Sequence, residues 1–180
     1  MAICNAISNG LSKSCDNNSG GVNKIYITDF ENVTAITTGT SSTFPTSDWV
    51  DGITMSGVTQ FYEIQTNKNV CNFTESVAID LNNGTTFFNQ VVSIVLSRRE
   101  TTKRDFIEKL VAGQKQLMLI VLDSNGIYWL FGQVEGAYVT AIEGGSGTAK
   151  ADANGYTITL TAMEADQAYQ VDPTIISGLI

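Results

Sequence analysis

The sequence predicts a mainly β protein, an antiparallel β-sandwich or barrel with one flanking α-helix at about residues 102–112. Apolar and polar side chains alternate with period two in several segments, most clearly in 156–162. Turn signals such as Asn82-Asn83-Gly84 and Asp123-Ser124-Asn125-Gly126 separate these segments. Only one segment has helical spacing, with apolar residues at 106, 107, 110 and 111. These patterns give about eight to ten strands, with one helix packed over a face or an end.

The individual strands follow from the same periodicity. In 71–81 the apolar residues Cys71, Phe73, Val77, Ile79 and Leu81 share one parity, which predicts a sheet with one buried face. The continuous apolar run 117–122 predicts a strand buried on both faces. Thr101 or Thr102 is expected to cap the helix, and Gly113 to end it. In chain order the predicted strands are 22–28, 33–37, 53–66, 71–81, 85–97, 117–122, 127–131, 136–142 and 156–162.

The length of 180 residues, without an internal repeat or linker, predicts a single domain, 1–180. Three polar or terminal segments are available for subunit contacts: an N-terminal arm (1–21), a long loop (38–52) and a C-terminal tail (166–180). No apolar run approaches 18 residues, so we expect no membrane segment. The opening residues lack the basic start and apolar stretch of a secretory signal.

Composition argues against several classes of function. The chain has no His, which removes the commonest general base and the commonest zinc ligand. The net charge of −8 disfavours wrapping on nucleic acid. Charge is nevertheless uneven, because residues 98–115 hold six of the ten basic residues and carry +3, leaving −11 for the rest. From this composition, above all the absence of His, we expect a protein without enzymatic activity.

The candidate contact residues are the basic cluster Arg98, Arg99, Lys103 and Arg104, together with Trp49. Three interpretations of the cluster stay open: a solvated helix start, a docking patch for an acidic surface such as an identical subunit, and a phosphate site. Arg98 and Arg99 precede the helix, where its dipole favours anions, so they do not serve the helix itself. Trp49 is expected to anchor its loop against its own domain or a neighbour.

Motifs for catalysis, cofactors or metals are weak. Gly144–Lys150 lacks the spacing and the following helix of a phosphate loop, and Asp16–Gly20 lacks the closing Glu of a calcium loop. Asp48 and Asp51 could form a carboxylate pair for hydrolysis, but no second feature supports it. We therefore expect no catalytic residue, no cofactor and no metal. Cys4, Cys15 and Cys71 are expected to be free thiols.

The layout resembles the tail tube and tail ring proteins of tailed bacteriophages, and is similar to those of phages infecting Bacteroidetes-type hosts, the crAss-like group included. The segments that carry the resemblance are 15–27, the strand 91–97 leading into the helix 103–111, the pair 117–122 and 127–131, and the ending 154–165.

The resemblance implies a tail-tube-like β fold, assembled into six-fold or twelve-fold rings around a channel with an acidic lumen. Its partners would be identical copies, other tail or portal proteins of the virion, and genome DNA in transit. Assembly would occur in the host cytoplasm. The family includes the tubes of contractile injection systems, and it brings no active site.

Three functions remain open from the sequence. The leading one is a non-enzymatic tail tube or tail ring subunit. The second is a stand-alone binding module for a carbohydrate or protein ligand, with Trp49, Tyr62 and Trp129 as stacking rings. The third is the carboxylate hydrolase, ranked far below the others.

Overall fold

The chain forms two β-sheets that pack face to face, with an α-helix at their side. The computed structural model describes residues 10, 13, 15–39 and 49–180. The strands are β1 (Val22–Asp29), β2 (Val33–Gly39), β3 (Trp49–Met55), β4 (Tyr62–Ile64), β5 (Asn72–Asp80), β6 (Thr85–Ser97), β7 (Leu117–Asp123), β8 (Tyr128–Phe131), β9 (Tyr138–Gly145), β10 (Gly155–Glu164) and β11 (Tyr169–Val171). The helices are α1 (Thr101–Val111) and α2 (Pro173–Ile176), and single 3-10 turns lie at Phe30–Asn32 and Ala112–Gln114.

The larger sheet has seven strands in the order β2-β3-β11-β8-β7-β1-β4, and the smaller has four in the order β5-β6-β10-β9. The predicted sandwich with a flanking helix is confirmed. The strand pairs are antiparallel except β11 with β3, which is parallel, so the sheets are not purely antiparallel. The described residues hold eleven strands, more than expected, because the predicted strand 53–66 divides into β3 and β4 and β11 was not predicted.

The main core lies between the two sheets. Ile94 of β6 and Ile158 of β10 face Leu119 of β7, and all three are fully buried. Helix α1 contributes Ile107 and Leu110 to the same core. The predicted alternation in β10 is confirmed from Ile158 onward, since the even-numbered residues there are buried and the threonines are half-buried. Period two therefore places one face of the smaller sheet in the core and the other outside it.

A second core covers the opposite face of the larger sheet. Met118 and Ile120 of β7 pack there with Val171 of β11, Ile176 of α2 and Leu179. Two covered faces explain why 117–122 is continuously apolar, as predicted. The tail 166–180 therefore packs against the larger sheet of the same chain, and its buried apolar side chains are not available to a neighbouring subunit.

The predicted strand 53–66 is wrong in its middle. The chain forms β3, turns at 56–60 and returns as β4. Val58, expected on the same strand face as Tyr62 and Ile64, lies in the turn and is fully exposed. Gly57, with φ 61°, lies in the same turn. The predicted loop 38–52 also shrinks, because β2 extends to Gly39 and β3 begins at Trp49. Residues 40–48 lie outside the described part.

The predicted helix is confirmed within one residue at each end. Its capping is different, since the N-cap is Glu100, which makes no side-chain capping bond, rather than Thr101 or Thr102. Gly113 follows the helix with φ 73°, the left-handed conformation expected of a helix-ending glycine.

The predicted buried face of 71–81 holds only at its beginning. Cys71 is buried and the Phe73 ring lies 5.2 Å from that of Phe131. Further along, Val77, Ile79 and Leu81 are 50%, 60% and 91% exposed. The reason is geometric, because β10 ends opposite Phe88 while the β5–β6 hairpin continues past it. We call residues 77–88 the overhang.

Candidate functional site: the four-stranded sheet and its two ends

The outer face of the smaller sheet carries no cation and combines many Thr, Ser and Asn side chains with Phe87, Val91, Val95 and Met163. None of its four strands contains Lys or Arg, and their only Asp and Glu residues are Glu75, Asp80, Glu143 and Glu164. The outward side chains include Asn72, Thr74, Ser76, Ser93, Thr157, Thr159 and Thr161, and none of these is buried. Thr140 and Thr161 hydroxyls meet at 3.0 Å on this face. We call it the cation-free face.

Both edges of the smaller sheet are free of strand partners within the described residues. Strand β5 pairs only with β6, over nine residue pairs, and β9 pairs as a strand only with β10, although Ala137, just before β9, bridges to Leu117 of β7. Each edge therefore presents a row of backbone N–H and C=O groups, a template for pairing with another chain.

The two ends of this sheet have opposite charge. The end formed by the overhang and the neighbouring turns carries exposed Glu75, Glu135 and Asp166 and half-buried Asp80. The other end holds Lys68, Arg98, Arg99, Lys103 and Lys150 against Glu100, Glu143 and Asp152. Hydrogen bonds from Asn67 to Ser97 and from Arg98 to Asn154 bring these loops together. The molecule is thus polarised along β6.

Half of the predicted basic cluster is neutralised within the helix. Lys103 Nζ lies 2.8 Å from Glu100 Oε1, and Arg104 lies 2.7 Å from Glu108 Oε1. The Lys103 hydrogen bond and charge hold the pKa of Glu100 below its ordinary value. These two cations fit the interpretation of a solvated helix face.

Arg98 and Arg99 are the cations of the cluster that face outward without a carboxylate within ion-pair distance in the described structure. Arg98 adopts φ 64°, and the backbone N–H groups of both residues bond to Asn154. The Arg99 guanidinium lies 5.1 Å from the centre of the Tyr156 ring. Both side chains are exposed, so their charge is available to a partner.

Trp49 does not present a contact surface. Its side chain is 3% exposed at the start of β3, between β2 and β11. This corrects the expectation that it reaches a neighbour and agrees with its alternative as an anchor within the domain. Of the three proposed stacking rings only Tyr62 is exposed, because Trp129 is half-buried and donates to Asp123 at 3.2 Å. The rings do not form one exposed platform.

The suggested carboxylate pair is not assembled by the described residues. Asp51 is exposed on β3, and Asp48 lies outside the described part of the chain. No group of three or more Cys, Asp or Glu side chains is placed to hold a metal in the part of the chain that the structure describes. Cys15 is an exposed free thiol and Cys71 a buried one, while Cys4 lies outside the described residues. In the same described part, no helix has the length and apolarity to cross a bilayer.

Glu164 is a buried carboxylate that sequence reasoning missed. It is 1% exposed at the end of β10, where Oε1 accepts the N–H groups of Val134 and Glu135 at 3.1 Å. Its Oε2 is buried without a hydrogen-bond partner among the described residues. Burial outweighs the backbone bonds and raises the pKa of this carboxyl. The alternation in β10 could have indicated this burial, because residue 164 shares the core-facing side of the strand with Ile158, Leu160 and Ala162.

Comparison with known proteins gives no relative from which a role could be transferred: no family model, curated protein or solved structure matches this chain. The case for function therefore depends on the sheet, its free edges and its charged ends.

Proposed function

We propose that this chain is a non-enzymatic structural subunit that closes into a ring of six or twelve copies, the tail tube or tail ring of a tailed phage, with DNA passing through the channel. The observation that carries the proposal is the four-stranded sheet with two free edges and a cation-free outer face. The resemblance in the sequence supplies the phage context.

Strand direction supports ring closure. Neighbouring strands in the order β5-β6-β10-β9 are all antiparallel, so β5 and β9 run in opposite directions. A copy rotated about an axis parallel to the strands brings its β5 beside β9 of the first, again antiparallel. Repeating this step closes a barrel in which no edge of the smaller sheet remains unpaired.

The size of such a barrel suits a conduit. Six copies contribute 24 strands, which at about 4.8 Å per strand give a circumference of about 115 Å and a diameter of about 37 Å before strand tilt. Barrels of about 16 to 18 strands already leave an aqueous channel. The cation-free face would line this channel if the larger sheet lies outside.

The chemistry of that face supports the passage of DNA. Phosphates bind proteins through Lys and Arg, and the four strands contain neither. Thr, Ser and Asn side chains keep the surface hydrated, and Asp80 and Glu143 add like charge that repels the phosphate backbone. A duplex would move past such a wall without adhering.

The test is the mass of the purified chain by light scattering, combined with negative-stain imaging. We expect rings of about six or twelve times the 19.4 kDa chain mass. Thr140→Lys, on the free edge of β9, is expected to abolish them, because edge lysines oppose strand pairing.

The matched control is Thr34→Lys on β2, an edge strand of the larger sheet. Both threonines are exposed, and each donates its hydroxyl to a carbonyl of the adjacent strand, Thr159 and Thr54 respectively. Rings that survive Thr140→Lys and fail with Thr34→Lys would overturn the assignment of β9 as the ring-forming edge. An unaltered chain that stays monomeric at all concentrations would overturn the ring itself.

A further inference from the structure

We propose that the overhang (77–88) docks onto the basic end of a second copy, so that copies associate head to tail along the strand direction. The inference deepens the proposed function and rests on it for the setting of stacked rings. The contact itself is argued from side chains, exposure and charge.

The apolar side of the overhang has no cover within the described structure. Val77 and Ile79 lie on the face of β5 that enters the core at Cys71, Leu81 follows in the turn, and all three are half to almost fully exposed. Phe88, half-buried opposite Val77, begins the buried part of the same face. Each aliphatic side chain of this size gains about 1.5 to 3 kcal/mol on full burial. A contiguous exposed apolar cluster marks an interaction site.

Charge identifies the occupant. The overhang end carries Glu75, Asp80, Glu135 and Asp166, and no Lys or Arg occurs in the strands and turns that form it, residues 72–97, 132–137 and 155–170. The surface of complementary charge is the opposite end of the sheet. Arg98 and Arg99 are exposed there without a carboxylate partner in the described structure.

A single molecule cannot make this contact. Strand β6 runs from the overhang to the basic end over thirteen residues, which is about 40 Å of extended chain. The two surfaces therefore meet only between different copies. Because the contact joins two different surfaces of the chain, it is heterologous and repeats from copy to copy. Ring closure through β5 and β9 uses the sides of the sheet, so both contacts can coexist.

The experiment counts rings per particle by negative stain and sedimentation velocity for the full chain. Val77→Asp is expected to leave single rings and to reduce stacking about tenfold or more, because the proposed contact buries Val77 and the substitution places a charge in that apolar contact. The control is Val58→Asp, which places the same substitution at a fully exposed position outside the overhang and should stack normally.

The basic end is tested with the double variant Arg98→Glu and Arg99→Glu, against Lys109→Glu on the exposed side of α1. The double variant should lose stacking, and salt of about 0.5 M should weaken stacking of the unaltered chain. Stacks that persist in both Val77→Asp and the double variant overturn the docking.

Failure of the two proposals can be told apart. Single rings that never stack overturn the docking and leave the ring standing. If no ring forms, the proposed function fails, and docking is then measured as concentration-dependent dimerisation. A dimer weakened by Val77→Asp and not by Val58→Asp supports the docking; a dimer unaffected by both, or no dimer, contradicts it.

Discussion

Replacing Glu164 tests whether its buried carboxyl group holds the turn at 132–136 against β10. Glu164→Ala removes the acceptor of the Val134 and Glu135 N–H groups. A hydrogen bond contributes about 0.5–1.5 kcal/mol net, so the loss of these two should lower the free energy of unfolding by about 1–3 kcal/mol. Glu164→Gln keeps an acceptor oxygen and should lose far less.

The same residue predicts a pH dependence of stability. Burial raises the pKa of Glu164 in the folded chain, and the nearby Glu135 charge acts in the same direction. The folded chain therefore binds this proton more tightly than the unfolded chain does. Its contribution to stability is fully present below the ordinary pKa of 4.5 and is lost as the pH rises through the raised folded value.

The assay is urea unfolding followed by tryptophan fluorescence at several pH values from 4.5 to 8. We expect Glu164→Gln to remove a downward slope that the unaltered chain shows above pH 4.5. Glu143→Gln, a change of an exposed carboxylate on β9, is the matched control and should keep that slope. Parallel profiles for the unaltered chain and Glu164→Gln would refute the reasoning.

Three further substitutions probe the packing, each measured by thermal or urea unfolding. Ile94→Ala, at a fully buried site in the main core, should cost about 2–5 kcal/mol; a loss below about 1 kcal/mol would contradict that core. Gly113 has φ 73° and open space around it, so Gly113→Ala should lower the free energy of unfolding only by backbone strain of about 1 kcal/mol. Gly132 has φ 69°, and Gly132→Ala also places a Cβ 2.7 Å from the Ala137 nitrogen, so its loss should be clearly larger. Equal losses at the two glycines would show that the collision is relieved. Asp172→Ala removes the acceptor for the Thr174 N–H at 2.8 Å that begins α2, and should cost about 1 kcal/mol; no change would mean that α2 does not depend on its cap.

Hydrophobic periodicity and turn residues were sufficient to predict a strand and its buried face where the strand has the same surroundings along its whole length. Strand β10 is buried on one face from Ile158 onward and β7 on both faces, so their patterns match their burial. The helical spacing of apolar residues in α1 matches its burial, because Ile107 and Leu110 reach the main core. These elements were predictable because local spacing and tertiary contacts agree.

Prediction failed where the partner of an element changes along its length. Strand β5 alternates correctly, but the sequence does not tell where β10 ends, so Val77 and Ile79 were expected to be buried. Strand β11 has three residues and pairs in parallel with β3 across more than a hundred positions, which no local pattern encodes. The charge polarity of the smaller sheet likewise emerges only from the pairing of distant strands.

Part of the candidate site was nevertheless open to sequence reasoning. The absence of Lys and Arg from 155–180 and from 72–97 is visible directly in the sequence. What the sequence lacks is the order β5-β6-β10-β9, which brings those cation-free strands side by side. The basic cluster was found as a group, but only the fold separates Lys103 and Arg104, which are neutralised, from Arg98 and Arg99.

The pairing of β9 with β5 of the next copy is the central claim, and cross-linking tests it most directly. Thr74 and Thr140 stand at one level on the cation-free face, since Thr74 pairs with Val91, Val91 with Thr161, and Thr161 meets Thr140. In a chain whose native cysteines are replaced, Thr74→Cys with Thr140→Cys and a short bis-maleimide should give a ladder that ends at six or twelve copies. Each single cysteine should give no ladder. A product that stops at two copies, or cross-links equally well with Thr74→Cys alone, would contradict the account.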